Sequence, residues 1–134
     1  MGKSDIEGKT ALVTGASKGI GKGIARAFAR EGATLVIASR NRRSLEEAAG
    51  EYRTHGSAVS VVPTDVTDES QVVSLFERTV REFGRVDILV NNSGVFDGGP
   101  LDELTLETWR KVIDVNLTGV FLCTREALKI MKAQ

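Results

Sequence analysis

Residues 10–23, TALVTGASKGIGKG, run an apolar strand into a glycine-rich turn and the turn directly into a helix. Ala11-Leu12-Val13-Thr14 suits a buried strand. The turn passes through Gly15-Ala16-Ser17-Lys18-Gly19-Ile20-Gly21, after which Ile20, Ile24, Ala27 and Phe28 recur at helical spacing. Such a passage brings bare backbone N–H groups and the positive end of a helix dipole to one point, which suits a phosphate. A Cβ at a critical glycine would obstruct that approach or forbid its dihedrals. An ordinary tight turn between strand and helix satisfies the same residues, so the turn alone leaves both readings open.

The rest of the chain repeats the alternation. Strand-like runs at residues 33–38, 58–62 and 87–91 are separated by helical patterns. Ser44-x-x-Glu47 reads as a capping box for the second helix, whose apolar face is Leu45, Ala48, Ala49 and Tyr52. Asp68-x-x-Gln71 opens the third helix, with Val72, Leu75, Phe76, Thr79, Val80 and Phe83 on its apolar face. After a glycine-rich loop, Leu106, Trp109, Ile113, Leu117, Val120, Phe121, Thr124, Leu128 and Met131 keep a helical period, and Trp109 and Phe121 read as core. Continuous apolar strands between helices predict an α/β fold, a doubly wound parallel sheet with right-handed crossovers. The expected strand order is 3-2-1-4, with a ligand crevice at the carboxyl ends where β1 and β4 diverge. Gly15, Ser39-Arg40, Asp65 and Asn91 all fall at such strand ends.

Composition narrows the class. A chain of 134 residues suits one domain, residues 1–134. Eighteen basic residues balance eighteen acidic ones, which gives no sign of a nucleic-acid or anionic-membrane partner. The single cysteine, Cys123, excludes an internal disulfide and suggests no metal site, and a reducing cytoplasm fits it. The N-terminus lacks the apolar run of a signal peptide, and no apolar stretch reaches membrane-spanning length.

The turn fails two well-known phosphate patterns. A P-loop needs glycine five residues before Gly-Lys, where Ala16 stands, and a Ser or Thr where Gly23 stands. The spacing Gly15-x-x-x-Gly19-x-Gly21 also departs from G-x-G-x-x-G. It resembles instead the T-G-x-x-x-G-x-G motif of the short-chain dehydrogenase/reductase family. Asp65, the run Asn91-Asn92-Ser93-Gly94 and Asn116 follow in that family's order and spacing, so the resemblance covers essentially the whole chain. It implies the first half of a Rossmann-type fold, a nicotinamide dinucleotide cofactor and a small ketone or secondary-alcohol substrate. Among family members the chain looks most like NADP-preferring reducers of 3-oxoacyl groups or other small ketones.

The residue chemistry refines the cofactor. About 20 residues past the glycine turn, an acid would accept the ribose 2′-hydroxyl of NAD. The chain has Ser39-Arg40-Asn41-Arg42-Arg43 there instead. An arginine can hold a 2′-phosphate through paired charge-assisted bonds, and Lys18 adds a second positive charge. NADP(H) is therefore expected in preference to NAD(H). The bland alternative is that Arg40, Arg42 and Arg43 only solvate a helix start.

The resemblance assigns further roles. Gly15, Ser17, Lys18, Gly19, Ile20 and Gly21 form the cofactor turn. Asp65 bonds the adenine amino group and Val66 packs on the ring, although a plain turn or cap explains Asp65 equally well. Asn91, Asn92 and Gly94 brace the sheet and touch the cofactor ribose, with Ser93 replacing the family's alanine. Asn116, three residues past Ile113 and four before Val120, reads as a buried amide needing partners, at about 1–3 kcal/mol if left unpaired. The resemblance makes it the asparagine of an Asn-Ser-Tyr-Lys catalytic tetrad, where it holds a water of the proton relay. An asparagine bonded to backbone at a helix kink is compatible with that role.

The family's Tyr-x-x-x-Lys pair and its serine are absent. The only tyrosine, Tyr52, is followed four residues on by Gly56. The chain is thus expected to be truncated before a fifth strand, to bind cofactor and to be inactive alone. Family members commonly form dimers and tetramers through the last helix, so a homo-oligomer is expected. The competing reading is a stand-alone, non-catalytic nucleotide-binding or interaction module.

Overall fold

The computed structural model describes residues 2–134. Strands and helices alternate as β1 (Thr10–Thr14), α1 (Gly19–Arg30), β2 (Thr34–Ser39), α2 (Arg42–Arg53), β3 (Val59–Pro63), α3 (Glu69–Phe83) and β4 (Ile88–Val90). A 3-10 turn (Leu101–Glu103), α4 (Leu106–Ile113), a π-helical turn (Asp114–Thr118) and α5 (Gly119–Ala133) follow. The sheet order is β3-β2-β1-β4, as the alternation predicts. Every pairing is parallel, and Leu12 of β1 lies between Val36 of β2 and Leu89 of β4. This is a Rossmann-type α/β arrangement.

Side-chain alternation along the strands builds two cores, one on each face of the sheet. Ala11, Val13, Leu35, Ile37 and Val61 face α1 and α2, where they meet Ala25, Ala29, Leu45, Ala49 and Tyr52. Leu12, Val36, Ala38 and Val62 face α3 and α5, where they meet Val72, Leu75, Phe76, Leu122, Cys123 and Ala127. The alanines of α1 matter to position as well as burial, because small side chains let that helix lie close to β1, directly behind the glycine turn. The apolar faces expected for α2 and for most of α3 are the buried ones, although Val80 is exposed.

Three expectations need correction. First, Ser44-Glu47 is not the cap of α2. Asn41 is, accepting the Ser44 N–H on Oδ1 at 2.9 Å, because the helix begins two residues before Ser44, at Arg42. Second, the apolar stripe assigned to the last helix is largely not the packed one. Leu122, Cys123, Glu126 and Ala127 are buried, whereas Leu117 and Leu128 are exposed. Third, Trp109 and Phe121 are half exposed, at 51% and 57%, rather than core. The reason is common to the last two. This helix is apolar on more than one side, and the π turn shifts the phase between α4 and α5, so a single helical count cannot choose the face. At α3, by contrast, Asp68 caps as expected, accepting from the Gln71 N–H at 3.2 Å.

Asp87 secures the far end of the sheet. Its carboxylate accepts the Thr10 N–H at the entry to β1 at 2.9 Å and pairs with Arg85 at 2.6 Å. The Arg85 guanidinium, with help from the Thr10 N–H, holds the Asp87 carboxyl below its usual value. A depressed carboxyl stabilises the fold above its unfolded pKa, about 3.9, and loses that contribution as pH falls through the folded one. Asp87→Asn is therefore expected to lower stability at neutral pH by about 1–2 kcal/mol and to flatten the fall in melting temperature below about pH 4. Thermal melts across pH check both. Among the described residues no helix is long and apolar enough to cross a membrane.

Candidate functional site

The carboxyl ends of all four strands open onto one side of the sheet, and the glycine turn stands at the centre. Gly15 has φ +64°, a conformation glycine adopts freely. A Cβ at Gly15 would meet Asn92 Nδ2 at 2.8 Å, and one at Gly21 would overlap both Asn92 Nδ2 and the Gly15 carbonyl oxygen. The space is taken because Asn92 reaches across from the end of β4 and donates its amide to Gly15 O at 3.0 Å. Thr14 completes the clasp. Its hydroxyl accepts the N–H groups of Asn92 and Ser93, each at 3.0 Å, and donates to Val90 O at 3.4 Å.

Beyond the turn, α1 begins without a capping side chain and without an acid in its first turn. No carbonyl or side chain among the described residues accepts the N–H of Ser17, Lys18 or Gly19. Donors left bare beside a helix N-terminus favour an anion. Over them lies a cleft of about 470 Å³. Gly15, Ser17, Lys18, Gly19 and Ile20 form one wall and Ser39 with Arg40 another. Thr64, Asp65 and Val66 lie after β3, and Asn92, Ser93 and Gly94 after β4. Ile20 is 78% exposed there, an apolar edge beside the polar groups of the turn.

Charge around the cleft is uneven. Arg42 pairs with Glu46 at 3.5 Å and Arg43 with Glu47 at 3.3 Å, so these two arginines serve the first turns of α2. Lys18 and Arg40 make no ion pair among the described residues, and both line the cleft. Ser39 carries a buried hydroxyl with no partner. Asp65 is the one carboxylate on the cleft wall among the described residues. Its Oδ1 also closes a local turn, accepting Thr67 N–H at 2.9 Å and the Thr67 hydroxyl at 2.7 Å.

Three expected site residues lie outside this cleft. Gly21 sits beneath the turn as a spacer. Asn91 turns toward α5 and donates to the Thr124 hydroxyl at 3.1 Å. Asn116 is exposed rather than buried, which corrects the expectation drawn from helical spacing. It occupies the π turn, where the extra residue in the backbone loop rotates side chains away from the count across residues 113–120. Both ends of its amide are nonetheless engaged. Oδ1 accepts Val95 N–H and Nδ2 donates to Val95 O, both at 2.8 Å, so Asn116 holds the loop after Gly94 as a neighbouring strand would.

Sequence reasoning passed over Thr14, Thr64, Val95 and Val115. The last three line the cleft, and Thr14 ties its two halves. A threonine ending a buried strand was the available signal for Thr14, since a buried hydroxyl needs partners.

Comparison with known proteins accords with this geometry. The sequence pattern of the family described as short chain dehydrogenase matches residues 9–134. The chain is 44% identical over 128 residues to 3beta-hydroxysteroid dehydrogenase 1 of Eggerthella lenta, covering 92% of this chain and 48% of that protein. It is 42% identical over 134 residues to cis-4-hydroxycyclohexanecarboxylate dehydrogenase of Sinomonas cyclohexanicum, covering 99% of this chain and 53% of that one. A short-chain type dehydrogenase/reductase of Mycobacterium marinum superposes with TM-score 0.94 at 37% identity, over 97% of this chain and 51% of that chain. The chain thus spans about half the length of the relatives it matches. Matched by that family's pattern over residues 9–134, the chain belongs to the short chain dehydrogenase family.

Proposed function

We propose that this chain binds NADP(H) and forms the cofactor-binding part of an oxidoreductase acting on a small ketone or secondary alcohol. The observation that carries the cofactor choice is the cationic end of β2. Arg40 and Lys18 line the same cleft as Ser39, whose hydroxyl is unpartnered, and no carboxylate stands at residues 39–43. A 2′-phosphate fits these donors, whereas a bare 2′-hydroxyl would leave two cations without a counter-charge. The uncapped start of α1 takes the pyrophosphate, and Asp65 with Val66 takes the adenine. When bound, the nicotinamide supplies or accepts a hydride at the substrate carbon. The two relatives named for hydroxyl-bearing ring compounds support a secondary alcohol or its ketone as substrate.

Asn116 holds the loop after Gly94 through Val95 and would take the asparagine position of the catalytic tetrad. The 134 residues contain no Tyr-x-x-x-Lys, so they bind cofactor without turning substrate over. The exposed apolar row Trp109, Leu117, Phe121 and Leu128 suits self-association through α4 and α5. A cytoplasmic setting fits the one buried, reduced cysteine.

Titration with NADPH and NADH tests the cofactor reading. Arg40→Ala is expected to weaken NADPH about tenfold and leave NADH nearly unchanged, as loss of one charge-assisted contact predicts. Equal NADPH affinity in variant and parent would contradict it.

A further inference from the structure

Tyr52 is the largest fully buried side chain, yet it is not merely filler between α1 and α2. Its hydroxyl donates to the Ala16 carbonyl at 2.7 Å and lies 3.4 Å from the Lys22 carbonyl. A phenol has one proton to give, so the shorter contact takes it. Ala16 stands inside the glycine turn, between two residues that line the cleft. The bond spans 36 positions of sequence and fixes a loop carbonyl from an element that has no other part in the site.

The direction of that carbonyl has a consequence at the next residue. Every peptide bond among the described residues is trans, and in a trans peptide the C=O and the following N–H point in opposite directions. The Ala16 carbonyl is drawn away from the cleft toward the packed interface of α1 and α2. The Ser17 N–H in the same plane is thereby turned the other way, toward the cleft that Ser17 lines, and no group among the described residues accepts it. Asn92 acts likewise one peptide earlier by holding Gly15 O, while the Gly15 N–H is held by Ala38 O at 2.7 Å. The turn is thus pinned at three of its backbone polar groups, two from the sheet side and one from α2.

We propose that Tyr52 is a positioning residue for the dinucleotide: its hydroxyl fixes the Ala16 carbonyl and so aims the Ser17 N–H at the cofactor pyrophosphate. This rests on the dinucleotide reading above. Burial pushes the Tyr52 phenol up to about 12, so it remains a protonated donor throughout the neutral range. The neighbouring Glu51 locks the same helix pair from outside, accepting Arg26 at 2.5 Å and Lys22 at 3.4 Å. With α2 held against α1 by those ion pairs, loss of the phenol oxygen alone leaves the helices in place and frees the loop.

The test is Tyr52→Phe in the full chain, titrated well below the melting temperature with two probes. NADPH carries the pyrophosphate; adenosine 2′-phosphate carries the adenosine and the 2′-phosphate without it. The variant is expected to bind NADPH about tenfold more weakly and adenosine 2′-phosphate as the parent does. Unchanged NADPH affinity, or an equal loss for both probes, would overturn the proposal and leave Tyr52 as a packing residue. If the parent chain binds neither NADPH nor NADH, the dinucleotide reading fails first and takes this inference with it. Should the variant not fold, the parent's Ser17 amide decides: saturation with NADPH is expected to move its proton resonance downfield, and an unmoved resonance would refute the role.

Discussion

Gly21→Ala is expected to destabilise the chain by about 3 kcal/mol and to weaken dinucleotide binding by on the order of a hundredfold. The added methyl would overlap Asn92 Nδ2 and Gly15 O and come within 2.9 Å of the Gly15 carbonyl carbon. Rotating Asn92 would relieve only the first clash, and it would break the bond from Asn92 to Gly15 O. The other two atoms are backbone, so α1 must move away from the turn. That shift displaces the bare N–H groups from the cleft. Helix propensity alone favours alanine over glycine by about 1 kcal/mol, so a stabilised variant would show that close approach is not why glycine stands there. Chemical denaturation and NADPH titration read the two effects separately.

Thr14→Val is expected to cost about 2–3 kcal/mol although it conserves shape. The hydroxyl uses its full capacity, one proton given to Val90 O and two N–H groups accepted from Asn92 and Ser93. Valine leaves both N–H groups without that acceptor. The effect reaches beyond stability, because β4 is only three residues long and meets the sheet only through β1. Thr14 extends that contact past the last ladder pair, Val13 with Val90, into the loop that walls the cleft. Thr14→Ser keeps the hydroxyl and is expected to retain most of the stability. Equal losses in valine and serine variants, measured by denaturation, would assign the effect to packing instead.

The sheet was legible because each of its signals is local or periodic. Apolar runs such as residues 33–38 and 58–62, punctuated by Gly32, Gly56 and Gly84, define strands and helices without knowledge of the partner. The parallel order then follows from chirality and connection length. Most of the cleft was legible for a related reason. In this topology the ligand crevice lies at the carboxyl ends of the strands, so locating strand ends locates Gly15, Arg40, Asp65 and Asn92. What the sequence could not disclose depends on contacts between distant segments. The Tyr52 bond to Ala16 and the Thr14 clasp on Asn92 and Ser93 are set by how helices and strands stack. Leu122 and Phe121 are neighbours of similar hydrophobicity, yet one is buried and the other exposed, because the packing of α5 on α3 and the sheet decides between them. Asn116 escaped for a geometric reason, since a π turn cannot be read from a count that assumes a regular helix.

Amide resonance mapping during an NADPH titration tests the central claim most directly, that four separate strand ends compose one dinucleotide site. Saturable shifts are predicted at Ser17, Lys18 and Gly19, at Ser39 and Arg40, at Asp65 and Val66, and at Asn92 and Gly94. The exposed side of the π turn and α5, around Leu117 and Leu128, is predicted to stay still. Saturable binding that leaves the Ser17–Gly19 and Ser39–Arg40 amides unmoved, or no binding at all, would contradict the account.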